Sequence, residues 1–436
     1  MHEINNGVFK SDISDNIYVI GDIHGDYQCL IHCLVDLCES CHISKIYNDE
    51  LFNTDNREYL EWIPNNKAII IFCGDMIHRK RCNNVLDDEC SDIFILLTLI
   101  RLKEEAILNG GNVILISGNH EIMNISQPEN IMYISPKNIE TNLKYFNDKN
   151  FVNKYIKNSY AWIKLDNILI THAGLCSEYL DNDEFEKYSI NKINDEYHKC
   201  FTNLKHFDDK KNLSYSLFIK YDIHNHKTHN MFWCREWGYG EIECEKLKIL
   251  LNKIKCKKMI ISHCPQFINP NKPQMINFEC NCGEKENGEY LLARIDLGMS
   301  RCFDYNDETS FIPNLSKNHY RKMAILKLKN NNNDSNNNNN NELYFNHSCV
   351  ITKKISCMQY LLLKYGYYKK DWHKHGINSN WMGFRYINSI ENIKKCSNDE
   401  QDGICCVINT VLKYDTKCKS ILYYMNLLDE LNGIDE

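Results

Sequence analysis

The chain has 436 residues, 43% of them hydrophobic and 25% charged, which is enough for a sizeable core in one large domain or two. Its formal net charge of -7 argues against a broad electrostatic footprint for nucleic acid. No apolar run reaches the ~18 residues of a membrane span, and the N-terminal MHEINNGVFKSDISDN lacks an apolar signal core, so a cytoplasmic protein that meets no membrane is the expectation.

In chain order, five apolar runs end in the same style. Ile17–Ile20 leads into GDIHGD, Gly21 to Asp26, and a helix-like stretch, Tyr27 to Cys38, follows. Residues 40–66 read as a polar insertion. Ala68 to Cys73 then leads into Gly74, Asp75, Met76, Ile77, His78 and Arg79. Beyond the helix-like Ser91 to Leu108, Val113 to Ser117 leads into Gly118, Asn119, His120 and Glu121. Gly118 is expected to turn the backbone sharply there. The stretch from Ile139 to Lys157 is helix-like, and Ile168 to Thr171 leads into His172, Ala173 and Gly174. Residues 176–230 form a longer charged insertion, expected to be helical and to overhang the site as a lid. After Cys244 to Ile254, Met259 to Ser262 leads into His263, Cys264 and Pro265. Alternation over Lys322 to Lys329 and Leu343 to His347 predicts a hairpin whose exposed tip is the Asn-rich tract 330–341. Ile355 to Leu363 and Ser420 to Leu431 show helix-like spacing in a tail that also holds His373 and His375, without evident partner ligands.

Strand–helix alternation of this kind predicts an α/β sheet with helices on its faces, and all five polar termini would gather at one edge. The gathered residues are Asp22, His24, Asp75, Asn119, His172 and His263: two carboxylates, an amide oxygen and three imidazoles. This donor set suits two borderline divalent ions, Mn, Fe or Zn. Asp75 is the bridging candidate, with Asp22 and His24 serving one ion and Asn119, His172 and His263 the other. Each residue alone is as well explained by a turn or a hydrogen-bonded loop; it is the fivefold recurrence that points to a site. The 22 cysteines are read as reduced, buried thiols, since no export signal accompanies them and only Cys38 and Cys41 are spaced like half a zinc site.

GDIHG, GDMIHR, GNHE, THAG and SHCP resemble the signature of calcineurin-like metallophosphoesterases of the phosphoprotein-phosphatase type, in the same order and spacing, over roughly Ile17 to Val350. FWCREW (Phe232–Trp237), MINFEC (Met275–Cys280) and ARIDLGMS (Ala293–Ser300) make the likeness nearest to the Shewanella-like phosphatases. The resemblance implies a four-layer αββα sandwich of two mixed sheets over residues 1–350, with the helical insertion at 176–230 and a C-terminal extension, 351–436, of unknown role that is a candidate for partner binding. It implies a hydrolase of phosphate monoesters, of protein phosphoserine, phosphothreonine or phosphotyrosine, in which metal-bound hydroxide attacks. The six ligands are those already gathered. His120 is the proton donor to the leaving group, Arg79 and Arg235 clamp the phosphate, and Glu121 and Asp296 support the ligand loops. The family usually carries an aspartate where His78 stands. Three readings follow: His78 bonds His120 as a neutral partner, another acid such as Asp26 substitutes, or activity is weak. Dinucleoside polyphosphate hydrolases look similar in the same motifs, and a catalytically weak phosphate-binding protein is the remaining alternative. The substrate partner is accordingly a phosphorylated protein or a small phosphoester, and no nucleic acid is expected.

Overall fold

The computed structural model describes residues 2–11, 16–49, 54–80, 89–177, 190–202, 218, 230–239, 242–266, 276–281, 290–300, 302, 324–330 and 343–345. The chain divides into two compact units, 1–303 with 322–351 and 304–321 with 352–436. The second unit, the Asn-rich tip, the helix-like stretches of the tail, His373 and His375, and most of 176–230 lie outside the described residues.

The first unit opens with β1 (His2–Asn5) and β2 (Val8–Lys10), followed by β3 (Ile17–Ile20). α1 (Tyr27–Ile31) runs on into a π-helical turn over His32–Leu37. β4 (Cys41–Asp49), β5 (Thr54–Trp62), β6 (Ile69–Phe72), α2 (Asp92–Leu108), β7 (Asn112–Ile116) and α3 (Asn119–Ser126) come next. Then follow α4 (Ile139–Phe146), α5 (Lys149–Asn158), β8 (Ser159–Tyr160), β9 (Trp162–Leu165) and β10 (Ile168–Thr171). The remaining elements are α6 (Ile190–Thr202), α7 (Cys244–Lys253), β11 (Lys258–Ile261), β12 (Asn277–Asn281), β13 (Tyr290–Arg294), β14 (Leu326–Asn330) and β15 (Leu343–Phe345).

The strands form two large mixed sheets, of order β1-β2-β9-β10-β11-β13-β12 and β15-β14-β3-β6-β7-β8. Each has a parallel centre, β10-β11-β13 in one and β3-β6-β7 in the other. β3, β6, β10 and β11 are buried at every residue. This is why their sequences are apolar runs without alternation, broken only by the terminal Thr171 and Lys258: parallel strands in such folds are covered on both faces. α2 packs on β7 and α7 on β13. The hairpin expected at the end of the domain is present, with β14 antiparallel to both β15 and β3.

Three local readings change and a fourth gains detail. The 40–66 insertion is an antiparallel ribbon, β4 with β5, and Leu60 and Trp62 of β5 are buried. Glu105 of α2 accepts from Trp62 N at 3.0 Å, so the ribbon leans on that helix. The helix expected across Ile139 to Lys157 is two, because the Asp148 carboxylate accepts from Asn150 N at 2.9 Å and starts a new one. In the 176–230 insertion, α6 turns Ile193, Tyr197 and Phe201 inward, and packs against α5, β8 and β9. Tyr197 Oη lies 2.6 Å from Ser117 Oγ and 2.8 Å from Ser159 Oγ, so α6 braces the end of β7, and the rest of the expected lid lies outside the described residues. Finally, Cys244 and Cys280 form a disulfide that ties α7 to β12, where reduced thiols were expected; the free cysteines among the described residues are buried. No helix among the described residues is long and apolar enough to cross a membrane.

Candidate metal centre

The parallel strands converge at their C-terminal ends, and each hands its ligand-type residues to one place. Asp22 and His24 follow β3, Asp75, His78 and Arg79 follow β6, Asn119 and His120 open α3 after β7, His172 follows β10 and His263 follows β11. Four of these, His24, Asp75, His78 and His263, hold the left-handed backbone region with φ of 46°, 54°, 73° and 67°. Non-glycine residues in that region cluster where function over-determines the backbone.

Gly118 is extended, with φ -99° and ψ 178°, so a sharp turn is not its purpose. A Cβ there would stand 2.2 Å from Asp75 Oδ1 and 2.4 Å from Asp75 N. The glycine exists so that the β7 loop can touch the β6 loop. Glu121 fastens the same junction: its carboxylate accepts from Asp75 N (2.9 Å), Met76 N (2.7 Å), Ile77 N (3.3 Å) and Gly118 N (2.8 Å).

Asp75 sits at the middle. It shares one group of facing ligand atoms with His24 and His120 and a second with His172 and His263, the atoms of each group lying within 4.8 Å of one another. Its Oδ2 is 3.9 Å from His24 Nε2 and 3.7 Å from His120 Nε2, and its Oδ1 is 3.4 Å from His172 Nε2. Asp22 Oδ2 is 3.6 Å from His24 Nε2, and Asn119 Oδ1 is 2.9 Å from His172 Nε2. The outward ring nitrogens are held by carbonyls: His172 Nδ1 by Cys73 O at 2.7 Å and His24 Nδ1 by Ile77 O at 3.3 Å. With Nδ1 donating and the ring neutral, each Nε2 would be free to take a metal ion, the arrangement metal-binding histidines adopt.

Charge at the site is tightly balanced. Burial alone would raise Asp75, but the imidazoles of His172, His120 and His24 hold its carboxyl well below the usual range. Burial, then crowding by Asp296 and Asp75, pushes Asp22 well up. Burial chiefly, with Asp75 adding, brings Asp296 to about 6. Burial, then Arg235 and His172, keeps His263 neutral. Asp22 Oδ2 and His263 Nε2 are buried with no hydrogen-bond partner among the described residues. Crowded carboxylates, a neutral imidazole and orphaned inward atoms are the signature of a site built for cations, and the donor set of Asp, His and Asn fits Mn, Fe or Zn.

Residues 16–256, more than half of the chain, match the calcineurin-like phosphoesterase family. The chain belongs to the calcineurin-like phosphoesterases. As a member of that family it is a metal-dependent phosphoric ester hydrolase, a phosphatase. It is 28% identical over 324 residues to Shewanella-like protein phosphatase 1 of Plasmodium berghei (strain Anka), an alignment spanning 72% of this chain and 74% of the relative. Among solved structures it is similar to the cold-active protein-tyrosine phosphatase of a psychrophile Shewanella sp., at 17% identity and a TM-score of 0.47, covering 68% of this chain and 74% of that one. A cold-active protein tyrosine phosphatase solved at 1.1 Å matches at 17% identity and a TM-score of 0.48, covering 76% and 77%.

In this calcineurin-like phosphoesterase all six expected ligands meet. His120 stands beside Asp75, and His78 Nδ1 lies 2.6 Å from His120 Nδ1, the pairing anticipated for a neutral partner. Asp26 is engaged elsewhere, with Arg79 Nη1 at 3.3 Å and as the cap of α1 through Cys29 N at 3.1 Å. Arg79 is fully buried, whereas Arg235 is exposed and reaches Cys264 Sγ at 3.8 Å, one residue from His263. Asp296 lies behind Asp22 and accepts from Gly298 N at 2.8 Å. Sequence reasoning missed Ser262, whose hydroxyl donates to Asp22 Oδ1, and two aromatic neighbours. The Tyr133 ring lies 5.0 Å from that of His120 and 6.0 Å from that of His78, and the Trp233 ring lies 5.9 Å from that of His263. Ser262 is the first residue of the SHCP motif and was legible; Tyr133 has no local pattern that marks it.

Proposed function

We propose that this chain is a dinuclear phosphomonoesterase acting on phosphorylated protein. The observation that carries the reading is Asp75, one buried carboxylate facing two groups of ligand atoms, with the His120 imidazole 3.7 Å away and backed by a second histidine. Asp22, His24 and Asp75 would hold one divalent ion, and Asp75, Asn119, His172 and His263 the other. When bound, such a pair supplies Lewis-acid charge and lowers the pKa of water at the site.

The chain's own residues do the rest. His120 presents Nε2 toward the site and donates the proton that the departing alkoxide needs. To do so it must carry a second proton on Nδ1, which donates to Nδ1 of a neutral His78. Arg79 and Arg235 offer planar guanidinium groups to the phosphoryl oxygens. Glu121 keeps the Asp75 and Gly118 loops in register so that the ligands stay convergent. Partly exposed Tyr133 and Trp233 flank the two sides of the site and offer apolar contact to the group that carries the phosphate.

The test is hydrolysis of an aryl phosphate, with added Mn and with chelator, for wild type and Asp75→Asn, followed by phosphoserine, phosphothreonine and phosphotyrosine peptides and diadenosine tetraphosphate. Mn-dependent turnover that Asp75→Asn abolishes, with peptide substrates preferred, is expected. Turnover of the dinucleotide alone would move the reading to a nucleotide hydrolase. No turnover with any metal would leave phosphate binding without catalysis.

A further inference from the structure

The segment Asp296–Ser300 was singled out in the sequence, yet the chemistry above uses only its aspartate. Ser300 is wholly buried. Its Oγ accepts from Arg79 Nη1 at 3.0 Å and from Cys302 N at 3.2 Å, and lies 3.3 Å from the carbonyl of His24. With two donors on the oxygen, the hydroxyl proton goes to the His24 carbonyl. One side chain thus joins the guanidinium after β6 to the ligand loop after β3, from the end of β13 in the other sheet. The same Nη1 is 3.3 Å from Asp26 Oδ2. Close packing leaves the junction little slack: Gly25 has φ 64°, and a Cβ there would come within 3.0 Å of Arg79 Cβ.

We infer that Ser300 is a positioning residue for Arg79, setting the plane of its guanidinium toward the phosphoryl group and locking that plane to the metal-ligand loop. The two acceptors on Nη1, the Asp26 carboxylate and the Ser300 hydroxyl, take both of its in-plane N–H directions and so fix the plane of the guanidinium. Because the hydroxyl is neutral, it orients the guanidinium without adding negative charge that would compete with a phosphate. The inference rests on the reading of Arg79 as a phosphate clamp and adds the residue through which that clamp is aimed.

The experiment measures kcat, KM, inhibition by inorganic phosphate and Mn activation for full-length wild type, Ser300→Ala, Arg79→Ala and the double variant. Losing one hydrogen bond to a charged group is expected to lower kcat/KM and weaken phosphate inhibition roughly tenfold in Ser300→Ala. Mn activation should shift far less than phosphate inhibition, and Ser300→Ala should cost little further kcat/KM in the Arg79→Ala background. Equal losses on both backgrounds would make Ser300 a general packing residue and overturn the inference. A silent Ser300→Ala beside a damaged Arg79→Ala would overturn it while sparing the clamp. An Arg79→Ala protein with unchanged phosphate inhibition would instead sink the clamp itself. If Ser300→Ala fails to fold, the near-isosteric Ser300→Cys, a weak acceptor, should show the same loss in smaller measure, and wild-type phosphate inhibition there would refute the role.

Discussion

Replacing Glu121 by glutamine changes one oxygen to an amide and should undo both folding stability and metal affinity. The carboxylate accepts four backbone N–H groups from two loops, Met76 and Ile77 on Oε1 and Asp75 and Gly118 on Oε2. Glutamine keeps one accepting oxygen and aims an NH2 group at the donors on the other side. Two charge-assisted bonds are lost, each worth about 1.5–3 kcal/mol, and two buried donors are left facing a donor. Part of this is returned because burial, then Asp75, pushes Glu121 up to about 7, and glutamine carries no charge to bury. A net loss of about 3 kcal/mol follows, or roughly 4–5 °C in melting temperature for a domain of this size. Because the same bonds set the backbone of Asp75, Mn activation should need roughly 10- to 100-fold more metal. Calorimetry of the metal-free protein and a Mn titration of aryl phosphate turnover read the two effects. A Glu121→Gln protein with the wild-type melting temperature and Mn curve would refute the idea that this carboxylate organises the site.

Two other predictions follow from neighbouring groups. Burial, with Glu89 adding and Gln28 and Arg57 opposing, brings buried Glu58 up to about 7. A carboxyl raised above its unfolded value near ~4.3 stabilises the fold below that value and loses the contribution as pH rises through about 7, up to about 3 kcal/mol. Urea melts at pH 5 and pH 8 should therefore differ more for wild type than for Glu58→Gln, and parallel pH dependence in the two would contradict the assignment. At the paired imidazoles, His78→Asp places a negative charge where a neutral ring now meets His120 Nδ1. A carboxylate favours the imidazolium form, so the alkaline limb of the kcat profile should move up by about one unit or more. Superimposable profiles would remove His78 from the proton-transfer account.

What the sequence determined by itself lies in residues whose partners are near in the chain or whose environment is uniform. The five central strands were legible because strands covered on both faces are apolar at every position, as Ile17–Ile20 and Ile69–Phe72 are. The candidate site was legible because each strand end delivers its residues within a few positions of the last buried one. Tertiary structure alone decided the rest. Gly118 looked like a turn, but its reason is the Asp75 carboxylate from another loop, 2.2 Å from where a Cβ would be. α6 lies in a stretch read only as a charged helical insertion, but the hydroxyl of Tyr197 binds Ser117 and Ser159 at the end of β7, a contact no periodicity encodes. Cys244 and Cys280, 36 residues apart, meet because a helix start and a sheet edge do. Ser300 touches Arg79 across 221 residues, and only the convergence of two sheets at their strand ends brings that hydroxyl to that guanidinium. Periodicity and local motifs report which face of a strand or helix is covered; they carry no information about which distant segment does the covering.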